Sequence, residues 1–290
     1  TALAWDALED LSTVDFNKLG FPEGTRDAML SQLQGLVSYF YLRGLDMFGG
    51  MPLYTTTQSD IKPRSTDVRT FEFIDSLLTE ALPNVPVKTE LGAKETGAIN
   101  AAAIATMKAQ LYFNAPSYIR QEKWQECADI CKDIIEGKYG KYDIDPDWTN
   151  VFGFNNDTSP EIIWSVPSEH AKLESDGMHW SRMVPYNFRN YLGGLEDSGS
   201  NNGIALTPGL DPTGRPYTTK LGRIYSKFND QDIRKQNYVY LGDGKYKGMF
   251  VVGLQQNPLN PEWVCMGSRE YKGQIINEVD QVAYFSRVNN

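Results

Sequence analysis

The sequence predicts a mainly α fold. Helical pairs form a scaffold over residues 1–140, and a loop-rich, short-stranded, ligand-binding portion follows over 141–290. Three observations lead there. Apolar residues recur with a 3.6-residue period in successive segments up to about residue 137. Cap and stop residues bracket several of those segments. Between 167 and 220 the periodicity gives way to Gly, Pro, Asn, Ser and Asp, and an irregular stretch of that length in a compact domain is usually functional. The two portions are read as one domain, 1–290.

The elements follow in order. Thr1–Asp10 reads as a helix with no start signal before it, and Val282–Asn290 stop in a strand-like run, so a segment of a longer protein is expected. Over 25–48, Met29, Leu33, Leu36, Val37, Phe40, Gly44, Met47 and Phe48 trace one helical stripe, with Thr25 as N-cap. Gly49, Gly50 and Pro52 stop that helix. A second helix fits 66–82. Thr66 caps it, Asp67 lies in its first turn, and Phe71, Ile74, Leu78, Ala81 and Leu82 face inward. The helix at 96–114 carries a small-residue stripe (Ala98, Ala101, Ala102, Ala105, Ala109) beside Ile104, Met107 and Leu111. At 121–137, Trp124, Cys127, Ala128, Cys131, Ile134 and Ile135 form the next face. A small-residue stripe facing an aromatic-led one suits close packing of the tetratricopeptide kind, although the full repeat signature is absent. Further on, Glu161–Val166 reads as a strand, and Tyr238–Leu241 with Tyr246–Val252 as a hairpin turning at Gly242-Asp243-Gly244.

Composition excludes several functions. Lys plus Arg number 28 against 37 Asp plus Glu, a net charge of -9, and no basic patch offsets it, so nucleic acid is not an expected partner. No apolar run reaches the ~18 residues that cross a bilayer as a helix. The two histidines, His170 and His179, hold no metal-ligand spacing with the three cysteines. Cys127 and Cys131, four apart on one helix face, are expected as small buried hydrophobes rather than a disulfide. Asp143, Asp145 and Asp147 start like a calcium loop, but Trp148 and Phe154 stand where it needs glycine and glutamate. They read as carboxylates in a solvated turn. No nucleophile, nucleotide-binding or zinc-protease motif is present, so neither metal nor cofactor is expected.

Aromatic side chains in loops are what remains. There are 16 Tyr, 13 Phe and 6 Trp. Most belong to cores, Phe40 and Trp124 among them. Rings in the polar loop have less core to enter. Trp180, Tyr186 and Tyr191, flanked by Asp176, Asn187, Arg189 and Asn190, suit a glycan. A flat ring covers the C–H face of a pyranose, while amide, carboxylate and guanidinium groups bond its hydroxyls. Two other classes stay open from the residues alone: a glycoside hydrolase, which needs two facing carboxylates, and a scaffold or peptide-binding protein.

Several segments, in order from residue 36 to 234, resemble the SusD/RagB family. Tyr39-Phe40-Tyr41-Leu42 followed by Phe48-Gly49-Gly50-Met51-Pro52-Leu53 is similar to its aromatic stretch leading to Phe-Gly-x-x-Pro-Leu, with Val37 where an arginine is usual. Arg64-Ser65-Thr66 resembles its Arg-x-Thr. Ile74, Leu78 and Ala81 follow, with Leu77 where the family tends to aspartate. Ala109–Phe113 resembles the Ala-Arg-Val-Tyr-Leu end of its Ala-rich helix, with Gln110 in place of arginine. Trp124 through Ile135 resembles its Trp-led helix, with cysteines at two alanine positions. Tyr142-Asp143-Ile144, Phe152, Pro160–Val166 and Asp232-Ile233-Arg234 complete the match.

The resemblance implies tetratricopeptide-like helical pairs carrying a loop-rich glycan site. It implies a surface-exposed outer-membrane lipoprotein of Bacteroidetes, anchored through a cysteine upstream of Thr1. It implies a SusC-like TonB-dependent β-barrel transporter as partner in nutrient uptake, and no catalysis. The family's glycan residues follow no fixed motif, so the residues proposed above rest on composition.

Overall fold

The computed structural model describes residues 2–57, 60–94, 96–153, 156–167, 228–236, 239–242, 245–271, 274–277 and 279–282. The chain divides into two compact units. One comprises residues 1–144 and 157–167, the other 145–156 and 168–290.

The first unit is helical: α1 (Ala2–Thr13), α2 (Thr25–Phe48), α3 (Asp67–Ala81), α4 (Ala101–Phe113), α5 (Ala115–Ile119) and α6 (Trp124–Ile135). Its core joins Trp5 and Leu8 of α1, Val37, Leu42 and Leu45 of α2, Ile74 and Leu78 of α3, and Ile104 and Leu111 of α4. The alanine-rich α4 is buried on most sides. Small side chains there let the neighbouring backbones approach closely, which is why α4 is the centre of the unit.

Caps explain the boundaries. Thr66 Oγ1 accepts from the Arg69 N–H at the start of α3. Asn100 does the same for Ala103 at 2.9 Å, so α4 begins at Ala101 rather than near 96. Gly49 ends α2 with φ 74°, a conformation open to glycine. The expected cap Thr25 is already inside α2. Gly24, with φ 82°, holds the cap position and no side chain caps the helix.

Three other sequence expectations are corrected. The α2 stripe faces the core only in part: Val37 and Gly44 are buried and Leu33 and Leu36 pack on the core, but Met29, Met47 and Phe48 are exposed and Phe40 is 45% exposed, and Ser31, Gly35, Ser38, Tyr41, Leu42 and Leu45 complete the buried face. Gly35 lets Ile99 and Ile104 come close, and Gly44 lets Met51 do so. Close helix contact therefore sets small residues among Val37, Tyr41, Leu42 and Leu45 on the buried face. Secondly, α6 buries no residue fully. Cys127 and Ile130 pack on the core, whereas Trp124 is 46% and Ile135 84% exposed, and Cys131 is exposed too. Its main helical neighbour is α4, which covers one side only. Thirdly, Glu161–Val166 forms no strand. Its polar groups bond to side chains and loops instead: Asn100 Nδ2 donates to the Ile163 carbonyl at 2.7 Å, and Trp164 Nε1 to that of Gly97 at 2.9 Å.

The second unit carries α7 (Trp148–Val151) and six described strands: β1 (Val239–Gly242), β2 (Lys245–Lys247), β3 (Phe250–Asn257), β4 (Asn260–Tyr271), β5 (Gln274–Asn277) and β6 (Val279–Val282). The hairpin expected around Gly242–Gly244 is present as β1 and β2, antiparallel, with Tyr240 opposite Tyr246. Its second arm is shorter than expected. Gly248 (φ 64°) breaks it, and β3 enters a separate antiparallel sheet of order β5-β4-β3-β6. Asn257 ends β3 by accepting from the Leu259 N–H, turning the chain into β4.

Candidate functional site

All seven residues selected from the loop composition, Asp176, Trp180, Tyr186, Asn187, Arg189, Asn190 and Tyr191, lie outside the described residues. Two features of the helical unit, not read as functional from the sequence, are built as ordered surface features.

The first is the loop after α2. Its backbone is fixed by side chains from three helices. Asp67 Oδ1 accepts from the Gly50 N–H at 2.6 Å, and Thr70 Oγ1 from Met51 at 3.2 Å. The Tyr41 hydroxyl accepts from the Tyr54 N–H and donates to the Pro52 carbonyl. Burial raises the pKa of that phenol above its ordinary value. Arg64 donates to the carbonyls of Gly50 and Phe48. From α1, Glu9 accepts from the hydroxyls of Thr56 and Thr57 and from the Thr57 N–H. These bonds hold Glu9 below the ordinary glutamate value. Beside this rigid loop stand the exposed Met47, Phe48 and Ile61.

The second is a hollow of about 470 Å³ between the outer face of α3 and the turn from α5 to α6. Phe71, Val68 and Ile119 give it apolar surface, and Glu72, Asp75, Ser76, Thr79, Glu80, Gln121 and Lys123 give it polar groups. The buried Lys108 of α4 reaches its inner side, donating to Asp75 Oδ1 at 2.7 Å and to Thr79 Oγ1 at 2.6 Å. Tyr112 donates to the same Oδ1 at 2.7 Å. Burial, reinforced by the Asp75 carboxylate, pushes the Tyr112 phenol well above its ordinary range. Lys123 lies over the Tyr112 ring. The polar face of α3 is visible in sequence as Glu72, Ser76 and Glu80, spaced by four. The concavity comes from a turn distant in sequence, and no local pattern announces that.

No group of three or more His, Cys, Asp or Glu side chains among the described residues is placed to hold a metal ion. Each of the three alternating aspartates accepts a local hydrogen bond, Asp143 from the Ile144 N–H at 2.8 Å. Asp147 caps α7, and Asp145 is buried and accepts from the Asp147 N–H and the Asn150 side chain.

No sequence model of a protein family matches the chain. No curated protein matches it either. Solved structures do. A SusD superfamily protein from Parabacteroides distasonis is similar over 97% of this chain and 53% of its own, with TM-score 0.66 and 15% identity. One from Bacteroides vulgatus is similar over 98% and 56%, with TM-score 0.60 and 13% identity. Surface glycan-binding protein A from Bacteroides uniformis is similar over 93% and 52%, with TM-score 0.57 and 18% identity. The chain thus spans about half the length of the structures it matches. Likeness at this level of identity speaks to architecture, and the architecture of this chain is that of the SusD superfamily proteins.

Proposed function

We propose that this chain serves a cell-surface glycan-binding protein that takes up oligo- or polysaccharide without cleaving it and delivers it to a SusC-like TonB-dependent transporter. The observation that carries this reading is the shared architecture with proteins named for surface glycan binding, from Bacteroides uniformis and Bacteroides fluxus. In this reading the ligand lies on Trp180, Tyr186 and Tyr191, with Asp176, Asn187, Arg189 and Asn190 bonding its hydroxyls. The protein is held at the outer membrane by a lipid on a cysteine preceding Thr1. Ring stacking and hydroxyl bonds give weak affinity per sugar, and repetition along a polymer supplies retention. The test is a polysaccharide panel cast into native gels, with reducing ends assayed in parallel. Retarded migration on at least one glycan with no reducing-end release is the expected result. Release of reducing ends would make the protein a hydrolase, and unretarded migration throughout would favour a scaffold.

A further inference from the structure

Helix α6 has more apolar surface than its neighbour covers. At about 100° per residue, its apolar residues run from Ile130 round to Ala128 through an arc of roughly 160°. A surface helix packed on a single core needs a stripe of about 100°. The polar side of α6 is separate and satisfied within the helix, Gln125 bonding Asp129 at 2.9 Å and Lys132 pairing with Glu136 at 3.8 Å. One edge of the apolar arc, with Cys127 and Ile130, packs on the core. The other edge, with Trp124, Ala128, Cys131 and Ile135, is exposed. The exposed Phe113 at the end of α4 meets the Trp124 ring edge-on at 5.6 Å and extends the patch.

The shape of the patch selects what can cover it. Ala128 and Cys131 lie in the middle, and the bulky Trp124 and Ile135 lie at the ends. Small residues between large ones make a saddle, in which a second helix packs toward the close end of the ~8–10 Å interaxial range. In stacked helical pairs, the terminal helix turns a polar face outwards. Helix α6 is the last helix of its unit and has an apolar edge there. The chain also spans 52% to 56% of the solved SusD superfamily structures that share its architecture, so that architecture has further chain to place.

We propose that the exposed edge of α6, together with Phe113, seats one amphipathic helix from a part of the protein outside residues 1–290. The seated helix brings its own apolar stripe, with its larger side chains opposite Ala128 and Cys131. This assignment holds whether or not the protein binds glycan.

The test compares residues 1–290 with the longer product of the same reading frame. The readout is the rate at which a bulky maleimide labels Cys131 in each folded protein, followed by peptide mass. The expected result is rapid labelling in 1–290 and labelling slower by roughly a hundredfold or more in the longer product. Ile135→Asp gives a second readout. It should leave the melting temperature of 1–290 unchanged, because Ile135 is 84% exposed there. It should lower that of the longer product by roughly 2 °C or more. Equal labelling rates in the two proteins would overturn the assignment. Slow labelling of Cys131 in monomeric 1–290 would overturn it by placing the occupant within the chain. A dimer of 1–290 in sedimentation that Ile135→Asp dissolves would give the face to a second copy instead. A reading frame that ends at Asn290 would remove the occupant altogether.

Discussion

Lys108 is the one charged side chain in the middle of an alanine-rich, buried helix, and its partners explain its presence. It ties α4 to α3 through Asp75 and Thr79. Lys108→Met is expected to cost about 2 kcal/mol, below the ~3–5 kcal/mol of a fully buried pair because Asp75 keeps some contact with water. Urea denaturation measures this, and Lys108→Met/Asp75→Ala should lose less than the sum of its two single variants. Gly50 is constrained differently. A Cβ there would meet the Ser65 carbonyl and the Thr66 backbone, which are not flexible tips. Gly50→Ala is therefore expected to destabilise by ~1–3 kcal/mol, read from the same denaturation curves. Some residue roles were legible in the sequence. Thr66 as a cap follows from side-chain chemistry within one turn. The exposure of Phe40 and Trp124 did not follow, because apolar spacing identifies a stripe without saying whether anything covers it.

At the scale of elements, α1 to α4 and α6 were legible because a helical period runs through each segment, and Thr66 and Gly49 add punctuation at α3 and α2. Failures came where long-range contacts decide. The apolar run at 161–166 looked like a strand, yet it finds its hydrogen bonds on Asn100 and Gly97 rather than on a neighbouring strand. Strand β3 was read only in its first residues, and β4 was not read at all. Gln255, Gln256 and Asn257 interrupt the apolar pattern there, and pairing with distant segments holds the sheet. The loop after α2 offers a test on this scale. Glu9 has a folded pKa below the ordinary 4.5 because Thr56 and Thr57 bond its charged form. The contribution of this latch is complete above pH 4.5 and is lost as pH falls through the lowered folded value. Amide exchange at 55–57, corrected for intrinsic rate, should accelerate as the pH is lowered through that window. Glu9→Gln should show the faster exchange at neutral pH as well.

For the whole molecule, the sequence pattern identified a helical scaffold and the family it resembles, and the architecture agrees with solved SusD superfamily structures at 13% to 18% identity. That outcome has a physical basis. Fold depends on periodic burial and caps, which survive wide substitution, whereas a glycan site depends on a few rings and amides whose placement is set by loops. The site proposed from loop composition therefore needs direct measurement. The decisive one is native-gel migration of Trp180→Ala/Tyr191→Ala on a glycan that retards the parent chain, with thermal melting as control. Lost retardation with an unchanged melting temperature is what ring stacking in the irregular segment predicts. Retardation equal to that of the parent would contradict it.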